Sequence, residues 1–205
     1  MNTISKCGVR FFLTGGTALS RAYFNHRYSD DLDFFVNDDD EYIDQVKEVF
    51  FKLKEDGFFW DENIDFVSKQ TFTSFKVGWN KSDTLLKLDF VNDVASRFGE
   101  ITETDLFFRT DSIRNILSNK ITCLFRFTAK DVADLREIAL RTKVDWPQAI
   151  HDARHKEAGI EVPIICDILT GMPESEFETI LWTKKPTWEE FSSDINRIVK
   201  EIMNG

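Results

Sequence analysis

The side chains best suited to chemistry sit in two short stretches. The first reads Leu13-Thr14-Gly15-Gly16-Thr17 and then Ser29-Asp30-Asp31-Leu32-Asp33-Phe34-Phe35-Val36. Paired glycines let the backbone bend sharply and approach a ligand closely. If a helix starts there, its unpaired N–H groups and positive dipole end form a site for phosphate oxygens. An ordinary tight turn with Thr17 as N-cap would use the same residues without a ligand. The carboxylates that follow favour the ligand. On a strand, Asp31 and Asp33 share one face while Leu32, Phe34 and Val36 share the other. Their Cα atoms then lie about 7 Å apart, so both carboxylates reach one point. Two such charges repel, and a hard divalent cation such as Mg²⁺ relieves them through oxygen ligands. The second stretch, Leu85-Leu86-Lys87-Leu88-Asp89-Phe90-Val91, repeats the pattern. Leu86, Leu88 and Phe90 form one face, with Lys87 and Asp89 on the other. An Asp in so apolar a strand needs a partner. If this strand lies beside Asp31–Asn37, the three acids converge.

The elements that position these residues follow from periodicity. Strands are expected at Val9–Thr14, Asp31–Asn37, Phe72–Trp79 and Leu85–Asn92, with a short one at Leu106–Phe108. Helices are expected at Thr17–Asn25 and at Glu41–Glu55, the latter closed by Gly57. Past residue 110 helical spacing takes over, at about 112–126, 130–142, 146–157, 162–170, 174–182 and 187–203. Thr187 and Glu190 form a capping-box pair ahead of Phe191, Ile195, Ile198 and Ile202. In the first of these helices Ile113, Leu117, Lys120 and Leu124 fall on one face. Lys120 therefore points to the core side and needs an anion, either a phosphate or a carboxylate. Asp131 and Asp134 share a helical face three residues apart and can serve as intrahelical or dipole-stabilised acids. His151 and His155 have the i, i+4 spacing of zinc proteases, but Asp152 stands where those carry Glu, so they are expected on a helix surface.

A resemblance appears at these residues. Gly15-Gly16-Thr17 followed by Ser29-Asp30-Asp31-Leu32-Asp33 resembles the first motif of the polymerase-β-type nucleotidyltransferases. More specifically, it is similar to the AbiEii/AbiGii toxin family, where a Gly-Gly-Thr-Ala-Leu helix start precedes Ser-x-Asp-Ile/Leu-Asp. A second block, Lys120 to Arg126 and then Lys130-Asp131-Val132-Ala133-Asp134-Leu135, resembles that family's Lys-led helix and its basic-Asp-x-x-Asp-Leu helix start. The resemblance implies an α+β fold. A nucleotidyltransferase-type mixed β-sheet core with helices would occupy residues 1–110, and a C-terminal helical layer packed on it residues 111–205. It implies transfer of a nucleoside monophosphate from an NTP to an acceptor hydroxyl. Asp31, Asp33 and Asp89 would hold Mg²⁺ (or Mn²⁺), and Asp89 would help deprotonate the acceptor. Gly15, Gly16, Thr17 and Ser29 would hold the triphosphate. Lys120 would act as a catalytic cation in a cleft, and Lys130, Asp131 and Asp134 would join it on the nucleotide side. The acceptor would be RNA, tRNA foremost, in a toxin–antitoxin or abortive-infection system with a cognate antitoxin. A small-molecule or protein hydroxyl is the alternative acceptor, and an inactive nucleotide- or partner-binding module the alternative class. Which of ATP, GTP, CTP or UTP is used stays open.

Composition bounds the rest. The 205 residues include 20 Phe and are 42% apolar, enough for a buried core. No apolar run is long enough to span a membrane, and no signal peptide is evident. The three cysteines lack CxxC spacing, which points to reduced thiols and the cytoplasm. The net charge of −10 disfavours specific or broad DNA binding. Residues 112–160 nevertheless hold nine basic and six acidic side chains, a local +3 suited to phosphates.

Overall fold

A computed structural model of the protein describes residues 1–79 and 84–205. Its contacts divide the chain into two units. The first comprises residues 1–22, 29–95 and 100–111, and the second residues 23–28, 96–99 and 112–205.

The first unit is built on one mixed sheet. Its strands are β1 (Phe12–Thr14), β2 (Asp31–Asn37), β3 (Phe58–Phe59), β4 (Val67–Ser68), β5 (Phe72–Trp79) and β6 (Leu86–Asp93). They are ordered β1-β2-β6-β5-β3, with β4 also on β5. β2 and β6 pair in parallel, and every other pair is antiparallel. The alternation read from the sequence sets the two faces. On one face Phe34, Leu88, Phe90 and Phe75 are buried. Phe90 stacks on Phe34 at 5.3 Å and on Phe75 at 6.0 Å between ring centroids. Helix α3 (Tyr42–Glu55) packs against this aromatic layer, burying Tyr42, Val46, Val49 and Leu53. The Tyr42 hydroxyl donates to the carbonyl of Phe90 at 3.0 Å, so the ring's polar end is satisfied inside the core. Gly57, just past this helix, has φ +84° as its closing role requires.

Three sequence expectations are corrected here. β1 is shorter than Val9–Thr14 because the Arg10 N–H is taken by the Gln45 side chain at 2.6 Å and so leaves the ladder. The expected strand at Leu106–Phe108 is absent. The Thr104 hydroxyl and N–H both donate to the Phe107 carbonyl and curl this loop, and strand-like bridging moves to Thr110, opposite Leu13 and Thr102. The helix expected over Thr17–Asn25 begins earlier. α2 (Gly15–Thr17) continues into a π-helical turn over Ala18–Phe24 and stops at Asn25, whose φ is +49°. Helix α1 (Asn2–Ser5), β3 and β4 are additions.

The second unit is helical: α4 (Ile113–Cys123), α5 (Ala129–Arg141), α6 (Trp146–Arg154), α7 (Val162–Thr170), α8 (Glu174–Glu178) and α9 (Trp188–Asn204). A 3₁₀ turn, Leu124–Arg126, follows α4. α9 starts at the Thr187–Glu190 capping box and buries Phe191, Ile195, Ile198 and Ile202, as its spacing predicts. α8 stops well short of residue 182 because the chain turns at Ile180, whose N–H bonds Phe177, and Trp182 then bridges to Arg27. Among the described residues no helix is long and apolar enough to cross a membrane.

Candidate active site

The face of the sheet opposite the aromatic core carries the candidate carboxylates. Strand register brings Thr14, Asp33, Asp89 and Ser74 into one row across β1, β2, β6 and β5, each opposite the next. One step along, Asp31 of β2 lies opposite Lys87 of β6. The parallel β2–β6 pair therefore places the three predicted carboxylates on one side of two adjacent strands. Period-two alternation puts them there, because Leu32, Phe34, Leu88 and Phe90 are drawn to the other side. Asp31 is exposed, and Asp33 and Asp89 are half-buried.

The glycine turn meets this row. Gly15 has φ +69°, a left-handed conformation that glycine adopts without steric cost. A Cβ at Gly15 would overlap the Asp33 carboxylate, so the backbone at the start of α2 runs directly against that acid. Thr14 is the N-cap but makes no capping bond; its hydroxyl donates instead to buried Asp111 at 2.7 Å. Thr17, a cap only in the ligand-free reading of this turn, is buried and donates its hydroxyl to the Asp31 backbone carbonyl, tying the helix start to β2. Gly16 is buried beside it, and Ser29 is half-buried two residues before Asp31.

Lys87 is the site residue that sequence reasoning left without a role. Its ammonium lies 2.6 Å from Asp89, whose other oxygen accepts from Ser74 at 2.5 Å. Burial disfavours the Lys87 charge, but the bond to Asp89 and the fields of Asp89, Asp31 and Asp33 outweigh it and hold its pKa above the ordinary value. A positive charge thus already sits among the three acids. Among the described residues no three acidic, imidazole or thiol groups are drawn into a ready metal cage. The donor set nonetheless fits Mg²⁺ in kind: three carboxylates with hard oxygens on one face, in a field that retains a cation. The alternating pattern around Lys87 was legible, but its partner was not.

The second predicted block lies in the second unit. There Lys120 is buried on α4 with its ammonium 2.7 Å from Asp131 and 2.6 Å from Asp134 of α5. Of the two anions its position called for, the structure supplies the carboxylates. Asp134 is fully buried and also accepts two bonds from Arg27, at 2.6 and 2.7 Å, and one from His26 Nε2 at 2.8 Å. Burial alone would raise the Asp134 pKa; Lys120, His26 and Arg27 together hold it well below the usual carboxylate range. Burial alone would likewise lower that of Lys120, and Asp134 and Asp131 raise it instead. Asp131 further accepts from Thr128 at 2.5 Å and Arg126 at 3.1 Å. Lys130, beside them in sequence, is exposed. No local signal marks His26 and Arg27, which lie more than 100 residues from their partner. His151, on α6, and His155, the residue after that helix, meet edge to face with ring centroids 4.3 Å apart, and both are exposed.

The family model described as nucleotidyl transferase AbiEii toxin, type IV toxin–antitoxin system, matches residues 3–201. No curated protein matches the chain in sequence. In fold it is similar to JHP933 from Helicobacter pylori, with TM-score 0.64 and 19% identity, covering 100% of this chain and 89% of that one. It is also similar to MenT4, a nucleotidyltransferase toxin from Mycobacterium tuberculosis H37Rv. That match has TM-score 0.59 and 13% identity, and covers 96% of this chain and 76% of that one.

Proposed function

The chain belongs to the nucleotidyl transferase AbiEii toxin family of type IV toxin–antitoxin systems, and on that premise we propose that it transfers a nucleoside monophosphate from an NTP to an RNA hydroxyl, tRNA foremost. The observation that carries this reading is the Gly15 backbone lying against Asp33, with Asp31 and Asp89 on the same sheet face.

In this reading the N–H groups at the start of α2, with Gly16, Thr17 and Ser29, hold the triphosphate oxygens. Asp31, Asp33 and Asp89 would hold Mg²⁺, which supplies charge neutralisation for the phosphates when bound. Asp89 accepts the proton of the acceptor hydroxyl. The hydroxyl oxygen then forms a bond to the α-phosphorus, the α–β bridging P–O bond breaks, and pyrophosphate leaves with its electron pair. Lys87 and Ser74, each bonded to one oxygen of Asp89, hold that carboxylate oriented until the substrates arrive. Lys130 is the exposed cation of the second block and the one assigned to phosphate there. Lys120, Asp131 and Asp134 are assigned to holding α4 on α5. The cognate antitoxin of such a system would oppose the consequence of this transfer.

Incubating the protein with tRNA and each α-labelled NTP in Mg²⁺ should label the RNA, and sequencing its 3′ ends should show the added nucleotide. Asp31→Ala with Asp33→Ala should abolish labelling while the melting temperature is retained. Persistence of labelling in that double variant would overturn the assignment. The Lys87–Asp89 pair is the one observation that favours a non-catalytic nucleotide-binding module. That second reading expects NTP binding indifferent to Mg²⁺ and no labelling of RNA, protein or small molecule.

A further inference from the structure

A cavity of about 340 Å³ opens in the second unit, far in sequence from the carboxylate row and lined chiefly by Phe127, Val132, Ile164, Ile168, Met172 and Pro173. We propose that it docks a basic, amphipathic segment of a partner protein, which seats one large apolar side chain in the cavity and sets Lys or Arg side chains against Asp167 and Glu176 at its lining.

Three observations carry this, independently of the nucleotidyl-transfer reading. The first is Phe127. It is 73% exposed and has φ +54°, a left-handed conformation unfavourable for a bulky residue. The residues on either side pin it there, since Arg126 and Thr128 both bond the same oxygen of Asp131. A strained backbone that presents an aromatic ring to water, rather than burying it, points to a contact made there. The second is the lining itself, with Ile164 44% exposed on α7 and Met172 able to adapt to the shape of an incoming side chain. The third is charge. Residues 157–183 include six acids, Glu157, Glu161, Asp167, Glu174, Glu176 and Glu178, and no Lys, Arg or His. Glu161 and Glu178 have ion-pair partners, Arg154 and Lys185. The carboxylates of Glu157, Asp167, Glu174 and Glu176 form no ion pair among the described residues. Asp167 and Glu176 line the cavity and Glu157 and Glu174 lie outside its lining, so the charge is not confined to one point and complements a partner with several cations. An apolar anchor with a charged surround is the usual distribution of energy at such contacts.

The test uses the full chain and a fluorescent helical peptide with leucines at i, i+3, i+4 and i+7 and lysines elsewhere, its central leucine photoreactive. Saturable anisotropy is expected, with cross-links to Phe127, Ile164 or Met172. Phe127→Gly suits the φ value, so its melting temperature should hold or rise while peptide affinity falls roughly tenfold or more. Asp167→Lys with Glu176→Lys should weaken the lysine peptide and admit its glutamate counterpart. The proposal is overturned if Phe127→Gly binds as the parent does, if cross-links fall elsewhere, or if lysine and glutamate peptides bind alike. It is also overturned if phenethylammonium alone binds as tightly as the peptide, because the site would then be one for a small cation.

Discussion

At the scale of single residues, the site depends on one backbone conformation. Gly15 is left-handed at φ +69° and has the Asp33 carboxylate where a side chain would stand. Gly15→Ala therefore pays twice, once for φ and once for displacing Asp33, and we expect a loss of about 1–3 kcal/mol in urea unfolding. Nucleotidyl transfer should fall further than stability, because Asp33 is pushed off its row. Gly57 supplies the control: its φ is +84°, yet nothing lies within 4 Å of a Cβ built there. Gly57→Ala should cost only the backbone component and leave transfer intact. Equal losses of transfer in the two variants would show that contact with Asp33 is irrelevant.

At the scale of elements, α4 and α5 are joined by buried charge. Lys120→Ala removes the cation that Asp134 and Asp131 share, leaving Arg27 and His26 on the first and Arg126 and Thr128 on the second, so the cost should approach but not exceed the about 3–5 kcal/mol of breaking a buried pair. A large drop in melting temperature is expected; an unchanged one with weakened NTP affinity would return Lys120 to a phosphate role. The pH dependence follows from Asp134. Its folded pKa is depressed, so below the ordinary carboxylate value near 4 the unfolded chain takes up a proton that the folded chain does not. The stabilisation is whole above about pH 5 and drains as pH falls, at up to about 1.4 kcal/mol per pH unit. Urea titrations from pH 5 to 2.5 should show a shallower slope in Asp134→Asn than in the parent chain. The same helices mark where sequence reading stops. The spacing of Ile113, Leu117 and Lys120 already turned Lys120 inward, and the run from Lys130 to Leu135 put two acids nearby. His26 and Arg27 could not be read, because their contact with Asp134 is made by tertiary folding and leaves no periodicity. The sheet divides in the same way. Alternation in β2 and β6 revealed which side chains share a face, since one face is apolar. Their parallel pairing, which brings Asp31, Asp33 and Asp89 to one side, is a choice of partner that each strand's own residues do not encode.

At the scale of the whole molecule, charge decides what the protein can hold. A chain at −10 repels nucleic acid on average, so an RNA acceptor must be met by a minority of cations rather than by a uniform field. Seven of the nine basic side chains of the 112–160 stretch are already spent internally: Arg114 on Asp152, Lys120 on Asp131 and Asp134, Arg126 on Asp131, Arg136 on Asp194, Arg141 on Glu137, Arg154 on Glu161, and Lys156 on Asn115 and Asn119. Lys130 and Lys143 are exposed and form no ion pair among the described residues. Within that stretch they are the cations left for phosphate, and if RNA is held there the salt dependence of its binding should be gentle. Each contact with a single-stranded segment contributes about 0.7 to the slope of log affinity against log salt. Replacing both lysines by glutamate should therefore lower that slope by about 1.4 and weaken binding most at low salt, whatever the RNA sequence. In Lys143→Glu alone, transfer to a saturating acceptor and the KM for NTP should change far less, because Lys130 stays in place. Anisotropy of labelled tRNA over a salt series reads the slope directly. An unchanged slope in Lys130→Glu with Lys143→Glu would mean that RNA, if bound, is held elsewhere, and would favour an uncharged or small acceptor over tRNA.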